Sequence, residues 1–103
     1  MFIQVGGGRA RLEDHHNFRE FKIVVDQEIE DWEMLRTALV GIARVDDGLH
    51  GWVLPSALRA DPVVAGDDVW QSGFDAMIEK ARPHGWVDSH SGEIRAHIVW
   101  SGG

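Results

Sequence analysis

Glu93, Arg95 and His97 fall at a spacing of two within GWVDSHSGEIRAHIVW, residues 85–100. On an extended strand, residues i, i+2 and i+4 share a face, so a carboxylate, a guanidinium and an imidazole are presented together. An imidazole exchanges protons near neutral pH, and a guanidinium holds a carboxylate or an enolate oxygen. A carboxylate beside them orients the imidazole. This set suits cofactor-independent proton transfer, an isomerase or lyase step on a small carbonyl compound. Upstream, His84, Trp86 and Asp88 repeat the same spacing. If Ser89, His90, Ser91 and Gly92 form a loop, antiparallel pairing sets Asp88 opposite Glu93, Trp86 opposite Arg95 and His84 opposite His97. His97, Arg95, Glu93 and Asp88 are the candidate catalytic residues. Trp86, as a flat apolar wall, His84 and Trp100 are the candidate ligand-binding residues.

The alternate positions Ile94, Ala96, Ile98 and Trp100 are apolar, and Val87 falls opposite Ile94. One buried sheet face therefore fixes the register, because a slip by one residue would invert every side chain. A competing reading makes the polar set the wet side of that sheet, with Arg95 over the Trp86 ring and neutralising Asp88 and Glu93. A cavity walled by a helix or by a second copy of the chain separates the two readings.

The elements that must position these residues are legible from periodicity. Phe2–Val5 and Arg9–Glu13 flank Gly6, Gly7 and Gly8 and predict a hairpin. Phe18–Val25 alternates as a strand, with Phe21, Ile23 and Val25 on one side. Asp26 is the expected cap of a helix running to about Arg44, with the stripe Ile29, Trp32, Leu35, Leu39 and Ile42. Asp46, Asp47 and Gly48 predict a turn into the short strand HGWVLP, and Pro55 opens a helical turn through Ala60. Asp67 caps a second long helix whose stripe is Trp70, Phe74, Met77, Ile78 and Ala81 and which Pro83 closes. Gly73 inside it implies a close approach by another backbone. The order predicts an α+β fold: a single domain, residues 1–103, with two amphipathic helices packed on a mainly antiparallel sheet that ends in a C-terminal β-hairpin. The last two glycines read as a frayed end.

Composition removes whole classes of function. The chain has no cysteine, which excludes thiolate chemistry, disulfides and cysteine-ligated metal. The histidines match no metal fingerprint: HExxH is absent, and the adjacent His15 and His16 would point to opposite strand faces, so neither metal nor cofactor is expected. Ten basic residues against 17 acidic ones give a net charge of −7, which opposes binding to nucleic acid and to anionic membranes. No leader-like or spanning apolar run is present, so a cytoplasmic setting is expected. The expected partner is a small organic molecule, carbonyl- or carboxylate-containing and partly apolar, in a protein that forms a homodimer if a second copy covers the hairpin face. The alternative is a non-catalytic accessory or inhibitor-type protein, of the immunity-protein kind, that binds a basic protein through Asp26, Glu28, Glu30, Asp31 and Glu33.

Overall fold

The strand that carries the candidate site, β6 (Ile94–Trp100), alternates as its sequence requires: Ile94, Ala96 and Ile98 are buried, while Arg95, His97 and Val99 are exposed. A computed structural model describes residues 1–45 and 47–101. Asp46, expected in the turn with Asp47 and Gly48, lies outside the described residues, as do Gly102 and Gly103, expected as a frayed end. In chain order the other elements are β1 (Phe2–Gly6), β2 (Arg9–Glu13), β3 (Lys22–Val25), α1 (Trp32–Ala38), β4 (Ala43–Val45), β5 (His50–Val53), α2 (Pro55–Arg59) and α3 (Asp68–Ala81). A 3-10 turn, Arg82–His84, follows α3.

The fold is α+β, and its six-stranded sheet has the order β2-β1-β3-β6-β5-β4. The sheet is mixed, not mainly antiparallel: β1 with β3 and β3 with β6 are parallel, and the other neighbours are antiparallel. The expected terminal hairpin is the source of this difference. Its first arm contributes only a single bridge, Val87 with Ile94, because Arg82–His84 coil into the 3-10 turn and Gly85 reverses the chain at φ +76°. β6 instead lies between β3 and β5, where both edges of its backbone find partners.

The first helix is shorter than its stripe implies. Asp26 donates its backbone N–H to the Val5 carbonyl at 2.9 Å and so extends the sheet connection where a cap was expected. Asp31 caps instead, accepting the Met34 N–H at 3.0 Å. Gly41 at φ +81° turns the chain into β4. Leu35 and Leu39 reach the core, whereas Trp32 is left 40% exposed. The strand expected over Phe18–Val25 is likewise confined to Lys22–Val25, since the carbonyls of Asn17 and Glu20 accept from the Met1 amino group at 2.6 and 3.1 Å.

The second helix matches its reading closely. Asp67 accepts the Trp70 N–H at 3.0 Å, and Trp70, Phe74, Ile78 and Ala81 are buried. Leu35 of α1, Leu58 of α2, and Trp70 and Phe74 of α3 join Ile23, Ile98 and the other inward sheet residues in one core cluster. The close neighbour of Gly73 is the ring of Phe18, a side chain and not the expected backbone.

Candidate functional site

Two chain segments share the edge of β6 that faces away from β5. β3 pairs there from Lys22 opposite His97 to Val25 opposite Trp100. Residues 86–88 occupy the same edge nearer the start of β6: Arg95 N–H donates to the Trp86 carbonyl at 2.8 Å, and Asp88 N–H donates to the Glu93 carbonyl at 2.9 Å. The two segments part at the level of Ala96, Phe21 leading away from one and Gly85 from the other. A cleft of about 700 Å³ opens where they separate. Phe18, Phe21, Met77, Trp86 and Ile94 make its apolar walls, while Arg95, His97 and His50 enter from the sheet and Lys80 and His84 from the end of α3 and the turn after it.

The charge in this cleft opposes that of the molecule. Arg19, Lys22, Lys80 and Arg95 line it together with three histidines, and Glu20 is the one carboxylate among the described lining residues. Glu20 lies 3.5 Å from Lys22. Elsewhere Arg11, Arg36, Arg44, Arg59 and Arg82 each have a carboxylate within 4.0 Å. In the cleft, the side chains of Arg19, Lys80 and His97 have no hydrogen-bond or ion-pair partner among the described residues. Arg95 Nη2 lies 3.0 Å from His50 Nε2. A guanidinium only donates, so Nε2 is the acceptor and the ring proton sits on Nδ1. Just outside the lining, the Asp47 carboxyl is held below its ordinary range, first by the backbone N–H of Leu49, then by that of His50, with the Arg95 charge adding.

Four of the sequence-expected residues, His97, Arg95, Trp86 and His84, line this cleft together. Trp86 faces Arg95 and Asp88 faces Glu93 as the loop length implies. His84 does not oppose His97; it stacks on Trp86, ring centroids 4.3 Å apart, while the pair partners of His97 are Lys22 and His50. Arg95 does not lie over Trp86, since its guanidinium is turned to His50, and the cation–π pairs among the described residues lie elsewhere, at Trp32, Trp52 and Phe74.

Glu93 and Asp88 are not in the cleft lining. Glu93 is buried, and its Oε1 accepts from Ser91 Oγ at 2.9 Å and from Arg44 Nη2 at 3.2 Å. Asp88 Oδ1 accepts the backbone N–H groups of His90 and Ser91 at 2.8 and 3.0 Å. Both carboxylates therefore build the loop. Trp100 lies at the far end of β6 on the inward face, donating its indole N–H to the Gly48 carbonyl at 2.8 Å.

The residues that sequence reasoning missed are Phe18, Arg19, Phe21, Lys22, His50, Met77 and Lys80. The outward alternation of Lys22 was a partial signal, but its neighbour across the sheet was not. Among the described residues, no group of three or more His, Asp or Glu is arranged to hold a metal ion. His15 and His16 lie with their rings 4.2 Å apart, but no acidic residue among those described completes a ligand set there. No helix among the described residues is long and apolar enough to cross a membrane. Compared with known proteins, the chain matches no family model, and no curated protein or solved structure matches it.

Proposed function

We propose that the protein binds a small, partly apolar organic anion, a carboxylate or a carbonyl compound that develops negative charge, in the cleft between β6, the Phe18–Lys22 segment and the end of α3. The observation that carries this reading is the gathering, among the described residues, of four cationic side chains and three imidazoles against one carboxylate, in a protein of net charge −7. Like charges that outnumber their counter-ions repel one another, and an anion relieves that repulsion. The rings of Phe18, Phe21 and Trp86 and the thioether of Met77 supply the apolar contact that holds the body of the ligand.

Within this reading Arg95 and Lys80 bind the anionic group, and His97, which has no partner among the described residues, exchanges a proton with the bound compound. The orienting role expected of Glu93 or Asp88 passes out of the scheme, since both carboxylates are engaged in the loop. The inhibitor-type alternative has less behind it. On α1, Asp31 caps the helix and Glu33 pairs with Arg36 at 3.3 Å, so local helix electrostatics accounts for that part of the acidic surface.

A thermal-shift panel of aromatic carboxylates and their neutral primary amides tests the proposal. The carboxylates should raise the melting temperature of the parent and the amides should not, and Arg95→Ala and Lys80→Ala should lose the response. Equal shifts in parent and variants, or no carboxylate that stabilises the parent, would remove this cleft from consideration.

A further inference from the structure

A carboxylate that enters the cleft meets a guanidinium already engaged by an imidazole. Arg95 Nη2–H donates to His50 Nε2 at 3.0 Å. Because the guanidinium keeps its charge and offers no lone pair, His50 is neutral in this arrangement, protonated only on Nδ1. Its place is well fixed. His50 opens β5, its backbone N–H donates to Asp47 Oδ1 at 2.9 Å, and its pair partner on β6 is His97.

Among the described residues, the charged and titratable groups around it are Arg95 and His97 on β6, Lys22 on β3, Arg19 and Glu20 in the lead-in to β3, Lys80 and His84 from α3 and its turn, and Asp47 before β5. Without an anion beside it, a second proton on His50 would break the bond from Arg95 and add a cation to a cationic cluster. An anion reverses that balance. Its two oxygens can take one donor from the guanidinium and one from Nε2–H, and its charge offsets the added proton.

We infer that the carboxylate of the ligand is received jointly by Arg95 and a protonated His50, so that the anion binds together with a proton. This rests on the cleft being an anion site. His50 then becomes a ligand-binding residue, and affinity falls with rising pH above the imidazole range, by at most about tenfold per pH unit for one linked proton.

The test is calorimetric titration with 2-naphthoate at about pH 7.5, within a unit or so of the ordinary imidazole range, in Tris and in triethanolamine. Both buffers are cationic and so do not compete for the cleft, and they differ in ionisation enthalpy. The parent should give heats that differ between buffers by the amount that proton uptake requires. His90→Gln, on the exposed loop outside the cleft, should keep this difference. His50→Gln retains an acceptor for Arg95 but cannot titrate, so it should bind with equal heats in both buffers and with an affinity flat across neutral pH. Equal heats for the parent overturn the inference while leaving the anion site standing, and this arm needs no variant to fold. Uptake that persists in His50→Gln overturns it by moving the proton to another imidazole. Absence of binding by the parent at millimolar naphthoate overturns the anion-site reading, and the inference with it.

Discussion

Phe18 stands directly over Gly73: a Cβ added to that glycine would lie 2.6 Å from Phe18 Cε2 and 3.0 Å from Cζ. The same ring sits 5.8 Å, centroid to centroid, from Trp70, which stacks on Phe74 at 4.8 Å. One aromatic side chain therefore ties the wall of the cleft to the main helix, and a helix-weakening glycine makes the room.

That contact predicts a change of sign. In the parent, Gly73→Ala gains about 1 kcal/mol of helix propensity but forces the Phe18 ring aside, at a cost of roughly 1 to 3 kcal/mol, so the variant should melt at or below the parent temperature. In a Phe18→Ala background the obstruction is gone, and Gly73→Ala should then raise the melting temperature. Thermal melts of the four proteins decide it. A stabilising effect of similar size in both backgrounds would mean that the ring does not rest on Gly73.

The buried stripe of α3 predicts large losses. Trp70→Ala and Phe74→Ala should each cost about 3 to 5 kcal/mol, as expected for deleting a large core aromatic. Trp70 also donates its indole N–H to the His15 carbonyl at 2.7 Å, so its loss leaves that acceptor without the bond as well. Chemical denaturation read by fluorescence gives the magnitudes. A loss under about 1 kcal/mol at either position would contradict the packing.

What could be read from the sequence was what is decided locally. The cap at Asp67 and the stripe from Trp70 to Ala81 depend on residues a turn or two apart, and they appear where the periodicity puts them. The pairing of Asp88 with Glu93 and of Trp86 with Arg95 depends on one short loop, and it too was legible. What was not legible was the other neighbour of β6. Lys22 reaches His97 by a parallel pairing between distant parts of the chain, which leaves no periodic trace in either segment. The cleft exists because of that pairing, so Arg19, Lys22 and Lys80 could not be seen to converge with Arg95. The misplaced helix cap has a similar origin. Asp26 has the right side chain to cap, but its Oδ1 accepts from Gln4 Nε2 and its N–H bonds to Val5 across the sheet, and the helix begins only after Asp31.

Glu93 should matter for stability and not for ligand binding. Its carboxylate joins Ser91 and Arg44, and the Arg44 side chain is 47% exposed, so solvent screens much of the ion pair. Glu93→Ala should cost on the order of 1 kcal/mol, mostly from the loop hydrogen bonds. Naphthoate affinity should stay within about twofold of the parent, a difference of only a few tenths of a kcal/mol. Titration of the variant under the conditions used for the parent checks this, and a tenfold loss of affinity at unchanged stability would return Glu93 to the site.

The unpaired cations predict that function and stability oppose one another. Arg19→Ala and Lys80→Ala remove like charge from the cleft and take away no counter-ion pair among the described residues. Their melting temperatures without ligand should equal or slightly exceed that of the parent, while their affinity for naphthoate should fall several-fold and become less sensitive to salt. Arg36→Ala, which breaks an exposed pair with Glu33 on α1, is the control and should leave affinity untouched. If Lys80→Ala lowered the melting temperature and kept its affinity, Lys80 would be a structural residue and the cation cluster would lose its meaning as a site.

Acid stability has a predictable sign at two turns. The Asp88 carboxyl is held below its ordinary range by the backbone N–H of Ser91 and then of His90, and that of Asp47 by Leu49 and then His50. A carboxyl with a lowered value in the folded protein takes up its proton first in the unfolded chain as pH falls. Its contribution is therefore complete above the unfolded value of about 3.9 and is lost as pH drops through the folded value. The Asp47→Asn, Asp88→Asn double variant keeps oxygen acceptors at both turns but no charge. Its melting temperature should lie below that of the parent at neutral pH, and the gap should close as pH falls below about 4. Melts taken from neutral to strongly acidic pH show whether it does. A gap that stays constant to the lowest pH would mean that the two carboxylates act through shape alone, and that their ionised form adds nothing to the loops beside the cleft.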